Sequence, residues 1–301
     1  MMRTVDDALV AFAAEIGTDG AVAVEGARTR WDRGGAPVAG TRIVQAPRGV
    51  VEHRPEEMTV RVRAGTTVAD LEAVLSPAGQ RSALPDRGGT VGGALAVGEN
   101  HLDLGTRRTV RESLLEVRYV SAEGRVVTGG GPTVKNVSGF DLPRLFVGSL
   151  GTLGCIAEVV LRVNPVPAAS RWLRCADADP LRVHAMLWRP ACVVGDGSVT
   201  WVHLEGHAVD VEAQIASLGA GWEDVDGPPP LPPHRWSVPT GEVGDPAPRP
   251  PGRFVASYGV GILFADEPQP PRPLPAAVAA ISVRMKENFD PTGRLNPGRT
   301  P

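Results

Sequence analysis

The chain has 301 residues and a net charge of -3, from 31 Lys and Arg against 34 Asp and Glu. That length supports one large domain or two smaller ones around a sizeable core. The two signs of charge are spread along it, with no basic block and no acidic tail, which excludes nucleic-acid binding and a solvated charged arm.

The N-terminus, MMRTVDDALVAFAAEIG, has neither the continuous apolar run nor the cleavage site of a signal peptide. It reads as an amphipathic helix with Thr4 as N-cap, Asp7 three residues on, and Val5, Leu9, Phe12 and Ile16 as the buried stripe. AVAVE (21–25) is a short apolar strand ended by Gly26. MTVRVRAG (58–65) alternates, with Met58, Val60 and Val62 on one face and Arg61 and Arg63 on the other. TTVADLEAVLSPAG follows as a helix with a threonine cap and a Pro77–Gly79 stop. LLEVRYV and RVVTGG flank SAEG as a hairpin, and CIAEVVLRV (155–163) is a strand stopped by Asn164–Pro165.

Beyond about residue 166 the pattern changes. RWLRCA, VTWVHLE and FVASYGVGILF read as strands, and helices start near Asp177 and His207. Trp172, Trp188 and Trp201 read as core of this small α+β unit. Residues 228–275 hold 15 of the 29 prolines, so regular structure should be interrupted there. AAVAAISVRMKENFDPTGRLNPGR is a helix ending near Asn288, then a turn and a tail. No apolar run reaches membrane-spanning length, and three scattered cysteines point to reduced thiols and a cytoplasmic location.

Three segments bring glycine to strand or helix ends: VEGARTRW (24–31), RGGTVGGALAVG (87–98) and KNVSGFDLPRLFVGSLGTLG (135–154). Glycine permits close approach to the backbone, and exposed amides attract phosphate without a lysine. None fits GxxxxGK[ST] or a strand-flanked GxGxxG, which leaves P-loop and Rossmann nicotinamide sites unsupported. One cluster alone is a tight turn. Three in one half-chain favour a ligand laid across several loops.

In order along the chain, VEGARTRW, TVRVRAGTTVADLEAVL, GGTVGGALA, LLEVRYVSAEGRVVTGG and VKNVSGFDLPRLFVGSLGTLGCIAEVVLRVNPVP resemble the FAD-binding domain of the PCMH-type, vanillyl-alcohol-oxidase-like flavoproteins. The tail FDPTGRLNPGR is similar to their FDP…NPG signature, and VKNVSGFDLPRLFVGSLGTLG is most similar to the FAD-binding subunits of glycolate oxidase. The resemblance implies an α+β protein. Residues 1–165 would form a PCMH-type FAD-binding fold of two α+β subdomains. Residues 166–275 would be a shortened cap or substrate region, and 276–301 a helix and tail returning to the FAD domain.

The resemblance also implies the site. Gly26, Ala27, Arg28 and Thr29, with Gly89, Thr90, Val91, Gly92 and Gly93, would hold the FAD diphosphate through backbone amides. Gly148, Gly151, Thr152, Leu153, Gly154 and Ile156 would line the adenosine and flavin side, and Lys135, Gly139 and Asp141 the wall between subdomains. Asn296 would reach the flavin ring, or serve only as a turn residue before Pro297. Asp141 reads equally well as the N-cap of DLPRLFVG, with Pro143 in its first turn. Arg28 and Arg30 flank the first loop as phosphate contacts. FAD would be non-covalent, because the first loop lacks the His or Cys to which covalent relatives attach it.

Two features depart from the pattern. Glu99, Asn100 and His101 stand where small residues are usual, and no counterpart exists to the metal-binding histidines of 2-hydroxyacid-oxidising relatives. His203 and His207 straddle a strand end rather than one helix face, so no metal set is expected. The function implied is an FAD-dependent oxidoreductase moving electrons from a 2-hydroxy acid or a partner dehydrogenase through flavin. Its partners would be a flavin dehydrogenase and iron–sulfur subunits. The alternative is a catalytically silent FAD-binding subunit of such a complex. A muramate-reductase-like NADPH enzyme is weakened by KNVSGFD and the tail.

Overall fold

The computed structural model describes residues 6–131, 141–243, 250–271 and 273–300. Helix α1 (Asp7–Ile16) buries Leu9, Phe12 and Ile16. Its N-cap is Asp6, whose carboxylate accepts the Leu9 N–H at 3.0 Å; the expected cap Thr4 and the stripe residue Val5 lie outside the described residues. Strands β1 (Val22–Glu25) and β2 (Arg42–Gln45) pair in parallel. Strands β3 (Val50–Arg54) and β4 (Thr59–Arg63) pair antiparallel. Helix α2 (Val68–Leu75) is capped by the Thr67 hydroxyl, which accepts from the Asp70 N–H. After β5 (Gln80–Arg81) comes α3 (Val91–Val97), capped by Thr90. A Thr109–Glu112 capping box starts α4 (Val110–Ser113).

The expected hairpin is β6 (Leu114–Val120) and β7 (Val126–Gly130). In α5 (Leu142–Phe146), Asp141 takes the N-cap position and its carbonyl accepts the Arg144 N–H, but its side chain caps no helix N–H; the carboxylate pairs with the Arg144 guanidinium at 2.7 Å. Strand β8 (Cys155–Arg162) is buried along nearly its whole length, and β9 (Asn164–Pro165) pairs with β5. The remaining elements are β10 (Ala169–Ala176), α6 (Pro180–Met186), β11 (Cys192–Gly195), β12 (Val199–Gly206), α7 (Ala208–Leu218), β13 (Glu223–Val225), β14 (His234–Ser237), β15 (Phe254–Ser257), β16 (Ile262–Ala265) and α8 (Ala276–Phe289).

The chain forms two compact units. One comprises Met1–His101, Arg108–Val166 and Leu274–Pro301; the other comprises Leu102–Arg107 and Pro167–Pro273. In the first, an antiparallel sheet of order β3-β4-β8-β6-β7 carries the core on one face through Val60, Val62, Val117, Val159 and Leu161. Its other face is not simply wet. Arg61 donates to Glu116 at 2.7 Å and Glu158 at 2.9 Å, and Arg118 pairs with Glu158 at 3.2 Å, all well buried. Alternation alone reads Arg61 as outward-facing, but pairing across three strands turns it into an internal cross-tie. Removing one member of such a set strands a buried charge, at a cost of about 3–5 kcal/mol.

In the second unit a seven-stranded sheet of order β13-β10-β12-β11-β15-β16-β14 packs Leu173, Val202, Leu204 and Leu263 against α6 and α7 through Val183 and Val211. Sequence reads FVASYGVGILF as one strand; it is instead the hairpin β15–β16, because Gly259 (φ 82°) and Gly261 (φ 66°) turn the chain. Trp172 and Trp201 pack against a small cluster that includes Cys192 and Phe264, as expected of core residues. Trp188 does not: it is 74 % exposed beyond the end of α6.

The tail is the most heavily tied segment of the first unit. The Asp290 carboxylate accepts Lys286 Nζ at 2.6 Å and the N–H groups of Arg294 at 3.1 Å and Leu295 at 2.7 Å. Arg294 is buried and donates to five carbonyls, those of Ile16, Gly17, Asp19, Gly20 and Ala122. The turn thereby fixed lets Val22 N–H bond Arg294 O at 2.9 Å and Asn296 N–H bond Val22 O at 2.7 Å, so the tail adds alongside β1.

Burial alone would raise the pKa of Asp290. The Lys286 hydrogen bond and the Leu295 and Arg294 amides outweigh it, and hold the carboxyl below its ordinary value of 3.8. A depressed folded pKa adds stability above the unfolded pKa, which is lost as pH falls through the folded one. The first unit should therefore lose part of its stability below about pH 4, and Asp290→Asn should flatten that acid limb in denaturation series run at stepped pH. Arg294→Ala, which removes the donor shared by these five carbonyls and leaves Ala122 O buried without it while Ile16 O keeps Arg42 Nη2, should cost about 3 kcal/mol by the same assay. A loss under about 1 kcal/mol would show that the tail is not held in this way.

Candidate functional site

The glycine segments converge in the first unit around two adjoining clefts with about 480 and 530 Å³ of empty space. They share Val24 from the end of β1, Gly26, Thr90 and Gly93 at the start of α3, Leu150, and Asn296 from the tail. The smaller cleft has an apolar floor of Ala46, Ala64, Cys155 and Ile156, rimmed by Gly65, Gly92, Gly151 and Gly154. The larger is lined by residues 26–31 and carries Arg28, Arg30 and Arg299 around Trp31.

Two glycines are sterically required here. A Cβ on Gly26 would come within 2.5 Å of the Thr90 hydroxyl, which is committed to capping α3 through the Gly93 N–H. A Cβ on Gly92 would come within 2.8 Å of the Ala64 Cβ and prevent α3 from closing on the end of β4. The small side chains thus set the depth of the site before any ligand is considered.

The amides divide into two groups. Among the described residues, the backbone N–H groups of Gly26, Ala27, Arg28, Thr29 and Arg30 make no hydrogen bond, and neither do those of Gly89 and Thr90. The next three are already used. Val91 N–H bonds Thr66 O at 2.8 Å, Gly92 N–H bonds Ala64 O at 2.8 Å, and Gly93 N–H bonds the Thr90 hydroxyl at 3.2 Å. The expectation that Val91, Gly92 and Gly93 offer amides to a phosphate is therefore corrected. The start of α3 is tied into the protein, and the open donors come from the first loop and from Gly89–Thr90. An unpaired run of N–H groups beside a cleft is an anion cradle.

Guanidinium groups extend the cradle. Arg30 donates Nε to buried Glu99 at 2.9 Å, and Arg87 pairs with the other oxygen of Glu99 at 3.0 Å. Arg30 Nη2 is buried without a hydrogen-bond partner. Trp31 has two cations on its ring, Arg299 at 4.5 Å and Arg28 at 5.2 Å from the centroid. Arg299 donates Nη1 to Arg33 O at 3.0 Å, while its Nε and Nη2 remain unpaired. Burial holds the Arg299 pKa below the ordinary value, with Asp32 acting in the opposite direction.

Of the residues that sequence proposes, Gly26, Ala27, Arg28, Thr29, Gly89, Thr90, Gly92, Gly93, Gly151, Gly154, Ile156 and Asn296 line one or both clefts. Val91 does not, being fully buried on the core side of α3. Gly148 instead gives its N–H to Leu95 O at 3.0 Å, and Thr152 O accepts Lys286 Nζ at 2.8 Å. Leu153 packs on the core, and Asp141 is exposed beside Arg144. Lys135 and Gly139 lie outside the described residues. Sequence missed Arg299 and Trp31, which are conspicuous only once the tail is docked. It also left Glu99 unexplained; that side chain sits behind Arg30 and aims it. Asn100 accepts the Val110 N–H at 2.9 Å and so fixes the start of α4.

The chemistry of this donor set fits FAD. Unpaired amides and guanidiniums match a diphosphate, and the apolar floor matches an aromatic ring system. The Asn296 amide nitrogen donates to Leu150 O, which leaves Oδ1 buried and unpartnered at the cleft. Burial pushes the Cys155 thiol up to about 12, so this floor residue stays protonated and inert.

Comparison with known proteins agrees with this geometry. Residues 7–130 match the family model described as FAD binding domain. The glycolate oxidase subunit GlcE of Escherichia coli (strain K12) is 34% identical over 208 residues, 64% of this chain and 58% of that protein. The glycolate oxidase subunit GlcD of Bacillus subtilis (strain 168) is 40% identical over 63 residues, 21% of this chain and 13% of that protein. The chain thus spans less than two thirds of the length of these relatives. Among solved structures, an alkyldihydroxyacetonephosphate synthase superposes with a TM-score of 0.68 at 16% identity, covering 96% of this chain and 73% of that one, a likeness of fold. No described helix is long and apolar enough to cross a membrane. Over residues 7–130 the chain is similar to FAD-binding domains of the PCMH type.

Proposed function

We propose that the protein is an FAD-dependent oxidoreductase subunit of the glycolate oxidase kind, taking electrons from a 2-hydroxy acid or from a partner dehydrogenase. The observation that carries this reading is the run of open amides from Gly26 to Arg30 lining a cleft beside the unpaired Arg30 Nη2. When bound, FAD supplies hydride and electron transfer, so the protein need only hold and shield it. Residues 26–30 and 89–90 would bind the diphosphate, Arg30 and Arg299 would offset its charge, and Asn296 would present its amide oxygen to a polar edge of the cofactor. Gly151, Gly154 and Ile156 would line the adenosine and flavin side, with Lys135, Gly139 and Asp141 at the wall. Residues 1–165 and 276–301 would form the flavin domain and 166–275 the substrate region. Similarity to two different glycolate oxidase subunits supports a partner chain, and three free cysteines fit a reducing cytoplasm.

One observation favours the second reading, a catalytically silent FAD-binding subunit. The titratable residues described as lining the clefts are Glu25, Arg28, Arg30, Cys155 and Arg299. Glu25 is held by Arg28 and the Cys155 thiol is inert, so neither of these described residues stands ready as a base.

The purified protein should be yellow and release FAD on denaturation; a colourless protein that takes up no FAD on reconstitution would sink the proposal. Arg30→Gln should weaken FAD about tenfold or more in a flavin-fluorescence titration of the apoprotein, the effect of one lost charge-assisted hydrogen bond. Unchanged affinity would remove Arg30 from the site. Glycolate or D-lactate added anaerobically should bleach the flavin. Bleaching that occurs only with a partner chain present would decide for the silent subunit.

A further inference from the structure

The second unit brings together three side chains that the flavin site does not use. Asp103 comes from the 102–107 segment, Cys192 opens β11, and His203 lies within β12 directly across from Cys192. All three are buried, and they offer a carboxylate oxygen, a sulfur and a ring nitrogen within 4.8 Å of one another. The imidazole is fixed in orientation by Trp172, which stacks on it at 4.4 Å and 11°. Its Nδ1 faces Asp103 at 2.8 Å. Its Nε2 faces the Ser170 hydroxyl at 2.8 Å and Glu205 at 3.6 Å. Glu205 accepts the Thr106 hydroxyl at 2.6 Å, and Arg107 stands 3.7 Å from the outer oxygen of Asp103.

We propose that Asp103, Cys192 and His203 form a binding site for a divalent ion of the zinc class. A thiolate, an imidazole and a carboxylate together select zinc over calcium or magnesium, which take oxygen ligands alone. The outer arrangement also suits a metal. A ligating histidine needs its far N–H held by an acceptor, and Ser170 and Glu205 stand at Nε2. Metal–ligand bonds of about 2.0–2.3 Å require donor atoms roughly 3.3–3.7 Å apart, so small side-chain adjustments suffice. On binding, Cys192 releases its thiol proton to solvent and forms the metal–sulfur bond. His203 ligates through Nδ1 with its N–H at Nε2, where Ser170 and Glu205 can accept it. One proton is thus released per ion. The fourth tetrahedral position is left to water. Such an ion would fasten the 102–107 segment to the sheet of the second unit.

The test uses the full chain, passed over a chelating resin and then loaded with zinc or cobalt(II). Stoichiometric zinc by elemental mass spectrometry is expected, with a thiolate-to-cobalt charge-transfer band and red-region bands typical of tetrahedral cobalt. Release of one proton per ion should be seen in unbuffered titration. Cys192→Ser should abolish the charge-transfer band, and His203→Gln should weaken binding at least tenfold. The wild-type spectrum stands by itself should either variant misfold. FAD content measured on the same samples separates failure of this site from failure of the flavin reading. Substoichiometric zinc in folded wild-type protein, with no cobalt–thiolate band, would overturn the proposal and leave Asp103, His203 and Ser170 as a hydrogen-bonded chain without an ion.

Discussion

The first unit depends on the buried pair of turns organised by Asp290 and Arg294. Asp290 gathers a lysine and two backbone amides. Arg294 spends its donors on five carbonyls drawn from the end of α1, the loop before β1 and the turn after β6. A guanidinium is the one side chain with enough rigid donors for that task. Its placement commits Leu295 to the core and Asn296 to the cleft. The last residues of the chain therefore complete a site begun by the first strand.

The site itself is mostly backbone. Its depth follows from glycines that let a loop, a helix start and a strand end approach closely, and its charge follows from amides with no internal partner. Side chains enter at one edge, where Glu99 holds two arginines and Trp31 lies beneath two more. Burying Glu99 costs little because both its oxygens face guanidinium. A residue that breaks the small-residue pattern of the loop thus aims Arg30 without entering the cleft.

The second unit shows the same economy in another form. Its sheet is built by local hairpins and by the long β10–β12 pairing. The six-residue segment Leu102–Arg107 belongs to this unit and is held to the sheet through Asp103 and Thr106. Buried polar groups at that junction are matched to one another, as polar groups withdrawn from water must be.

Much of this was legible in the chain. Leu9, Phe12 and Ile16 announce α1 by helical spacing, Thr67 announces α2 by its cap, and the polar turn SAEG announces the β6–β7 hairpin, because each signal is local. The glycine loops were legible as a group through their order and spacing. Sequence could not show which amides remain open, since that depends on Thr66 and Ala64 presenting carbonyls to α3. Nor could it show that Arg61 is internal, that Trp188 is exposed, or that Arg299 reaches Trp31. Those outcomes rest on contacts between residues far apart in the chain. Residue order determined the helices, the strands and the glycine loops, because caps, periodicity and glycine act within a few residues, while FAD came with the family resemblance that those loops carry. Only tertiary structure decided the partners of each donor and charge, because a hydrogen bond goes to whichever acceptor folding brings within reach.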